Sequence, residues 1–198
     1  MHRFIYICLF ALLTFGPPNV YSEHDCIDPR YYGKKVSVKN PLPTHWFSLG
    51  TTQLTDTQLH ATLKGDYKKY YTAGKDGEGF TIDHFCGFRD GLYLTISNGD
   101  FGPYAEFSKE PPKCYPCNPV NEDMPYFTSG TGLNIGQDKG VVSKILGHAI
   151  SDDITSIIFN EIEQGKGYEI WHSQTLRTEF RDNKLVRFSI DDSREKTR

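Results

Sequence analysis

The chain has 198 residues, with 22 Lys and Arg against 25 Asp and Glu and a formal net charge of −3. That balance excludes a nucleic-acid binder, which needs basic patches to displace counterions from phosphate. The length suits one domain of ordinary core or two small ones, and aromatic residues make up a generous 14 %.

The chain begins with a pattern of export. Arg3 supplies a positive start, and Phe4 to Phe15 is an apolar run interrupted only by Thr14. Gly16, Pro17 and Pro18 then break the helix, and Val20-Tyr21-Ser22 suits the positions before a cleavage site. We read residues 1–22 as a secretory signal peptide, too short for a membrane span. The expected location is secreted or periplasmic. Cys26 follows Glu23-His24-Asp25, which is no lipid-attachment box, so no anchor is expected. Cleavage after Ser22 removes Arg3 and leaves a net charge of −4.

The cysteines that remain are Cys26, Cys86, Cys114 and Cys117. An even number in an exported chain implies two disulfides, with three possible pairings. The preferred set is Cys26–Cys86 with Cys114–Cys117, because only Tyr115-Pro116 separates the latter two.

Taken in order, Lys35 to Val38 predicts a strand and His45 to Leu49 is a short apolar run. Thr55-Asp56-Thr57-Gln58 has the form of a capping box, opening a helix from Thr55 to Lys64 that Gly65 closes. Lys68 to Thr72, Phe80 to Phe88, Leu92 to Ser97 and Tyr104 to Phe107 read as strands. Asp90-Gly91 is a strong hairpin signal between the second and third of these. Lys109 to Pro125, with five prolines, reads as a linker or covering loop.

Gly132 to Gly147 is the best-marked stretch. Asp138 is placed as an N-cap, and Val141, Val142, Ile145 and Leu146 recur at helical spacing. Gly147 provides a left-handed stop. Asp153 to Ile162, Tyr168 to Trp171, Leu176 to Phe180 and Leu185 to Ile190 follow as strands, and the charged tail after Asp191 should fray. The expected organisation is a first α+β half at 23–108, a Pro-rich linker at 109–127, a second α+β half at 128–191 and a tail at 192–198. The fold class expected is α+β, with helices packed on one face of an antiparallel sheet in tandem halves.

Ile135-Gly136-Gln137-Asp138-Lys139, with Val142 and Ile145-Leu146-Gly147, resembles the helix motif of the SmpA/OmlA-like and β-lactamase-inhibitor-protein-like group. Thr178 to Phe188 resembles that group's last hairpin. The likeness covers about residues 132–190. Gln137 stands where the group has Met, Asp138 where it has Thr, and Ala149 where it has Pro. The resemblance implies a fold whose sheet surface binds protein partners, in envelope-assembly lipoproteins and in secreted enzyme inhibitors.

Other chemistry finds little support. Cys114-Tyr115-Pro116-Cys117 sits among prolines with no helix to stabilise a thiolate, so a structural disulfide outranks a redox or zinc site. Lys75-Asp76-Gly77-Glu78-Gly79 lacks carboxylates at the outer positions of a calcium loop, Gly74 and Phe85. Gly130-Thr131-Gly132, with Gly136, lacks the Gly-Lys-Ser/Thr of a phosphate loop. His24, His45, His60, His84, His148 and His172 show no metal-ligand spacing, and no nucleophile elbow is present. A catalytic set could still be assembled in space, His172 with Glu169 for instance, but nothing in the sequence selects it. No cofactor, metal or catalytic set is expected.

Binding residues are sought among aromatic side chains on strands. Alternation puts Tyr168, Ile170 and His172 on one face and Glu169 and Trp171 on the other. Trp171 beside Glu169 marks either the open face of the sheet, where Trp is an interaction anchor, or the edge of the core. Tyr93 and Tyr104 complete the candidate set. The expected function is non-enzymatic: a protein-binding module, an inhibitor or immunity protein that neutralises an enzyme or toxin. An envelope-assembly accessory is the alternative and a hydrolase the third reading.

Overall fold

Three tight turns set the strand pairings. Asp90 and Gly91 take φ values of 52° and 76°, and Asp182 and Asn183 take 51° and 62°. Paired positive φ values match the twist of a two-residue hairpin, and Asp, Asn and Gly bear them at least cost. Lys166-Gly167 makes the third, with Gly167 at 79°. The computed structural model describes residues 33–54, 57–63, 68–73, 79–99, 102–112, 117–120 and 125–197. Residues 1–22, expected to be a signal peptide, with Cys26, Cys114, the capping pair Thr55-Asp56 and residues 74–78, fall outside these.

The strands are β1 (Lys34–Val38), β2 (Ser48–Leu49), β3 (Thr52–Gln53), β4 (Lys68–Ala73), β5 (Gly79–Arg89), β6 (Leu92–Gly99) and β7 (Gly102–Ser108). They continue with β8 (Asn118–Pro119), β9 (Ile154–Gly165), β10 (Tyr168–Arg181) and β11 (Lys184–Thr197). The helices are α1 (Thr57–Leu63) and α2 (Lys139–Leu146), with 3-10 turns at Thr44–Phe47 and Pro125–Phe127. One sheet runs β1-β9-β10-β11-β7-β6-β5-β4, with β8 against β5, while β2 and β3 form a separate ribbon.

This architecture corrects the expected fold class. The chain is mostly β, and its large sheet is mixed, because β1 runs parallel to β9 and β8 parallel to β5. The two helices among the described residues are only 7 and 8 residues long, whereas β10 and β11 reach 14. Two helical turns bury too little to form a layer. The core face is covered mainly by turns and loops, through Leu42, Trp46, Phe47, Leu49, Leu54, Phe127 and Leu133. Leu59 and Leu63 of α1 and Val142 and Leu146 of α2 join them. Strands from the two expected halves join in one sheet, since β11 pairs with β7 and Phe188 stacks on Phe107, centroids 4.7 Å apart. Residues Asp192 to Thr197 continue β11, Thr197 pairing with Glu169.

The cap of α2 differs from expectation. Asp138 occupies the N-cap position without a side-chain cap bond, and its Oδ1 meets Lys184 Nζ at 3.0 Å instead. Backbone bonds from Gly136 N–H to Leu185 O and from Leu185 N–H to Gln137 O dock the helix start on the β10–β11 hairpin. Val142 and Leu146 are buried, Val141 is exposed, and Gly147 ends the helix at φ 68°.

The preferred disulfide set is also corrected. Cys86 is bonded to Cys117, with Cα atoms 4.6 Å apart. The parallel pairing of Asn118 with Gly87 is what carries Cys117 to β5. Neighbours in sequence lost to neighbours in the sheet.

Candidate functional site on the sheet face opposite the core

Strand alternation assigns every side chain to one of two faces. On β10, Gln174, Leu176, Thr178 and Phe180 point to the core, so Glu169, Trp171, Ser173, Thr175, Arg177 and Glu179 share the other face. Register extends that face across the sheet. Arg187, Ser189 and Asp191 of β11 stand opposite Glu179, Arg177 and Thr175. Ser108, Glu106 and Tyr104 of β7 follow, then Tyr93, Thr95 and Ser97 of β6. Ile158 and Ile162 belong to it from β9, level with Thr175 and Trp171. Both described helices pack on the core side.

The middle of this face is a buried charge network. Arg187 Nε lies 3.3 Å from Glu106 Oε1, and its Nη1 donates to Glu179 Oε2 at 3.1 Å. Arg187 Nε also reaches Ser108 Oγ at 3.4 Å, and the Tyr104 hydroxyl donates to Glu106 Oε2. Arg177, 3 % exposed, approaches Glu179 at 3.8 Å, while its Nε has no hydrogen-bond partner among the described residues. Burial pushes the Glu106 carboxyl above its usual range, against the pull of Arg187, the Tyr104 hydroxyl and Arg177. Burial likewise lowers Arg177, opposed chiefly by Glu179. Paired charges held out of water make a rigid centre.

The β9–β10 end of the same face is different. Trp171 and Ile162, directly opposite in register, are each 47 % exposed. Trp171 Nε1 donates to Glu169 Oε2 at 3.2 Å, and Gln164 Nε2 donates to Glu169 Oε1 at 2.8 Å. The indole is therefore oriented by a carboxylate while much of its surface stays open.

All four candidate residues lie on this one face, yet only two of them meet. Trp171 and Glu169 are in contact. Tyr104 is level with Thr175, four residues along β10 from Trp171, and serves the charge network. Tyr93 is level with Glu179, eight residues along, and its ring packs on Phe88 at 4.6 Å. His172 and Glu169 are on opposite faces, so that dyad does not form. His172 Nε2 lies 2.9 Å from Asp192 Oδ1 and its ring meets Phe159 edge-on. Sequence reasoning missed Ile162, Glu106, Arg177, Glu179 and Arg187. Arg177 and Glu179 alternating with Leu176, Thr178 and Phe180 carried a usable signal: charged residues in phase with each other on a core strand.

A cavity of about 220 Å³ opens on the core side, walled by Leu92, Phe107, Phe127, Leu133, Ile135 and Phe188. Among the described residues its lining contains no acid, base or cation. No group of metal-ligating side chains occurs among the described residues. Gly130 is a packing glycine: a Cβ there would fall 1.8 Å from His45 O. No protein-family model, curated protein or solved structure matches the chain.

Proposed function

We propose that this chain is an exported protein-binding module that neutralises an enzyme or toxin, engaging it with the Trp171 end of the sheet face opposite the core. The observation that carries this reading is the exposed cross-strand pair of Trp171 and Ile162. A solvent-facing Trp next to an apolar neighbour, with its N–H already satisfied, loses little on desolvation and gains a large contact area. The buried network beside it supports the reading by providing a rigid platform, which lowers the entropy cost of docking. The resemblance of residues 132–190 to a group that binds proteins through sheet surfaces points the same way.

The test is capture of a partner from the exported fraction on the immobilised chain. Trp171→Ala should weaken capture roughly tenfold or more, with an unchanged melting temperature. Equal capture by the variant and the natural chain would sink the assignment.

A further inference from the structure

β9 is only half covered along its outer edge. β1 pairs with Thr155 to Phe159 and then leaves the sheet, with the Leu42 N–H donating to Gln174 Oε1 at 2.9 Å. From Asn160 to Gln164, β9 is paired to β10 alone among the described residues. Such an edge presents backbone donors and acceptors ready to pair with another strand. All five side chains along it are exposed.

Those side chains specify what the edge would accept. Ile162 sits beside Trp171 on one face, and Glu161 and Glu163 point to the other, neither in an ion pair among the described residues. Glu161 faces His172, which is engaged by Asp192, and Glu163 faces Ile170. Arg194 stands one strand further, about 10 Å from Glu161 at the usual strand spacing and so largely screened. Lys166 is exposed in the adjoining turn, and Glu169 and Gln164 are tied to each other on the Trp171 face. The rim is acidic.

A second copy of this chain fits poorly. Pairing two β9 edges about a two-fold axis through Ile162 would set Glu161 against Glu163 of the other copy, and like charges directly opposite destabilise a ladder. We propose that the Asn160–Gln164 edge takes an extended basic segment of the partner as an added strand. Lys or Arg at alternate positions would face Glu161 and Glu163, and an apolar residue between them would lie over Ile162 and Trp171. Main-chain bonds supply affinity and the alternating side chains supply selection. This rests on the protein-binding reading and names the chemistry of what is bound.

The experiment uses nine-residue peptides of alternating Lys and Val, the Glu/Val counterpart, and a block-ordered Lys/Val control, titrated into the exported chain and followed by amide shifts and hydrogen exchange. The alternating Lys/Val peptide should shift and protect the amides of residues 160–164 and bind at least tenfold tighter than either control. The double substitution Glu161→Lys/Glu163→Lys should reverse the preference towards the Glu/Val peptide without moving the melting temperature. Shifts centred elsewhere, equal binding of the block control, or an unchanged preference in the double variant would each overturn the edge proposal. Partner capture separates the two readings. If Trp171→Ala abolishes capture and the double variant leaves it intact, the face assignment stands and the edge assignment falls.

Discussion

Arg187 reaches Glu106 and Ser108 on β7 and Glu179 on β10 from one position on β11. Removing it would take from Glu106, 8 % exposed, and Glu179 the arginine they share, leaving Arg177 as the cation near both. Losing one member of a buried pair costs roughly 3–5 kcal/mol. Arg187 is itself partly exposed, so Arg187→Ala should cost about 2–3 kcal/mol, read from the midpoint of urea unfolding. Glu106→Gln behaves differently, because burial already disfavours the charged form. The folded pKa of Glu106 is raised above its unfolded value, so the folded chain holds that proton more tightly. Its stabilising contribution is complete below the unfolded pKa and is lost as pH rises through the folded one. Unfolding free energies of the natural chain, taken relative to Glu106→Gln, should therefore fall as pH increases upward from 4.5, the ordinary glutamate value. A flat or rising difference would mean that the carboxylate is stabilised in place by its arginines.

At the scale of elements, the local signals were legible wherever the backbone demanded a particular residue. Asp90-Gly91 and Asp182-Asn183 announce their hairpins because few residues accept positive φ at both centres. Gly147 announces the end of α2 for the same reason. Alternation assigned Glu169 and Trp171 to a common face because a strand has no other option. What local pattern could not show is which strand lies beside which. β1 pairs with β9 across more than one hundred residues, and no nearby residue encodes that choice. Asp138 stands at the N-cap of α2 as its place in the pattern predicts, but backbone bonds to β11 fix the helix start and its carboxylate pairs with Lys184 instead of capping. Gly130 lies in a turn whose packing partners are distant in sequence and so invisible to local pattern. Its N–H donates to Ser48 O at 3.1 Å, and an added Cβ would strike the fixed His45 carbonyl. Gly130→Ala should cost about 3 kcal/mol, the upper part of the range for overpacking, seen as a lower melting temperature with secondary structure retained.

At the scale of the whole molecule, the sheet closes what the chain leaves apart. The segment after β7 returns to β5 rather than linking two independent halves, and Cys86–Cys117 pins that return. The adjacency of Cys114 and Cys117 in sequence suggested a small local loop, but two strand residues at Asn118–Pro119 outweighed it by fixing Cys117 beside β5. The bond spans 31 residues. Holding a loop of that size closed in the unfolded chain is worth about 3–4 kcal/mol in the chain-entropy picture, a large share of the stability of a domain this size. The paired substitution Cys86→Ala/Cys117→Ala should lower the unfolding free energy measured in urea by that amount while leaving the register of β5 with β6 intact in amide exchange. Proteolysis without reductant should release a single crosslinked species containing Cys86 and Cys117. A linked Cys114–Cys117 peptide in that digest would show that the covering segment is held locally, and the argument for a return to β5 would fail with it.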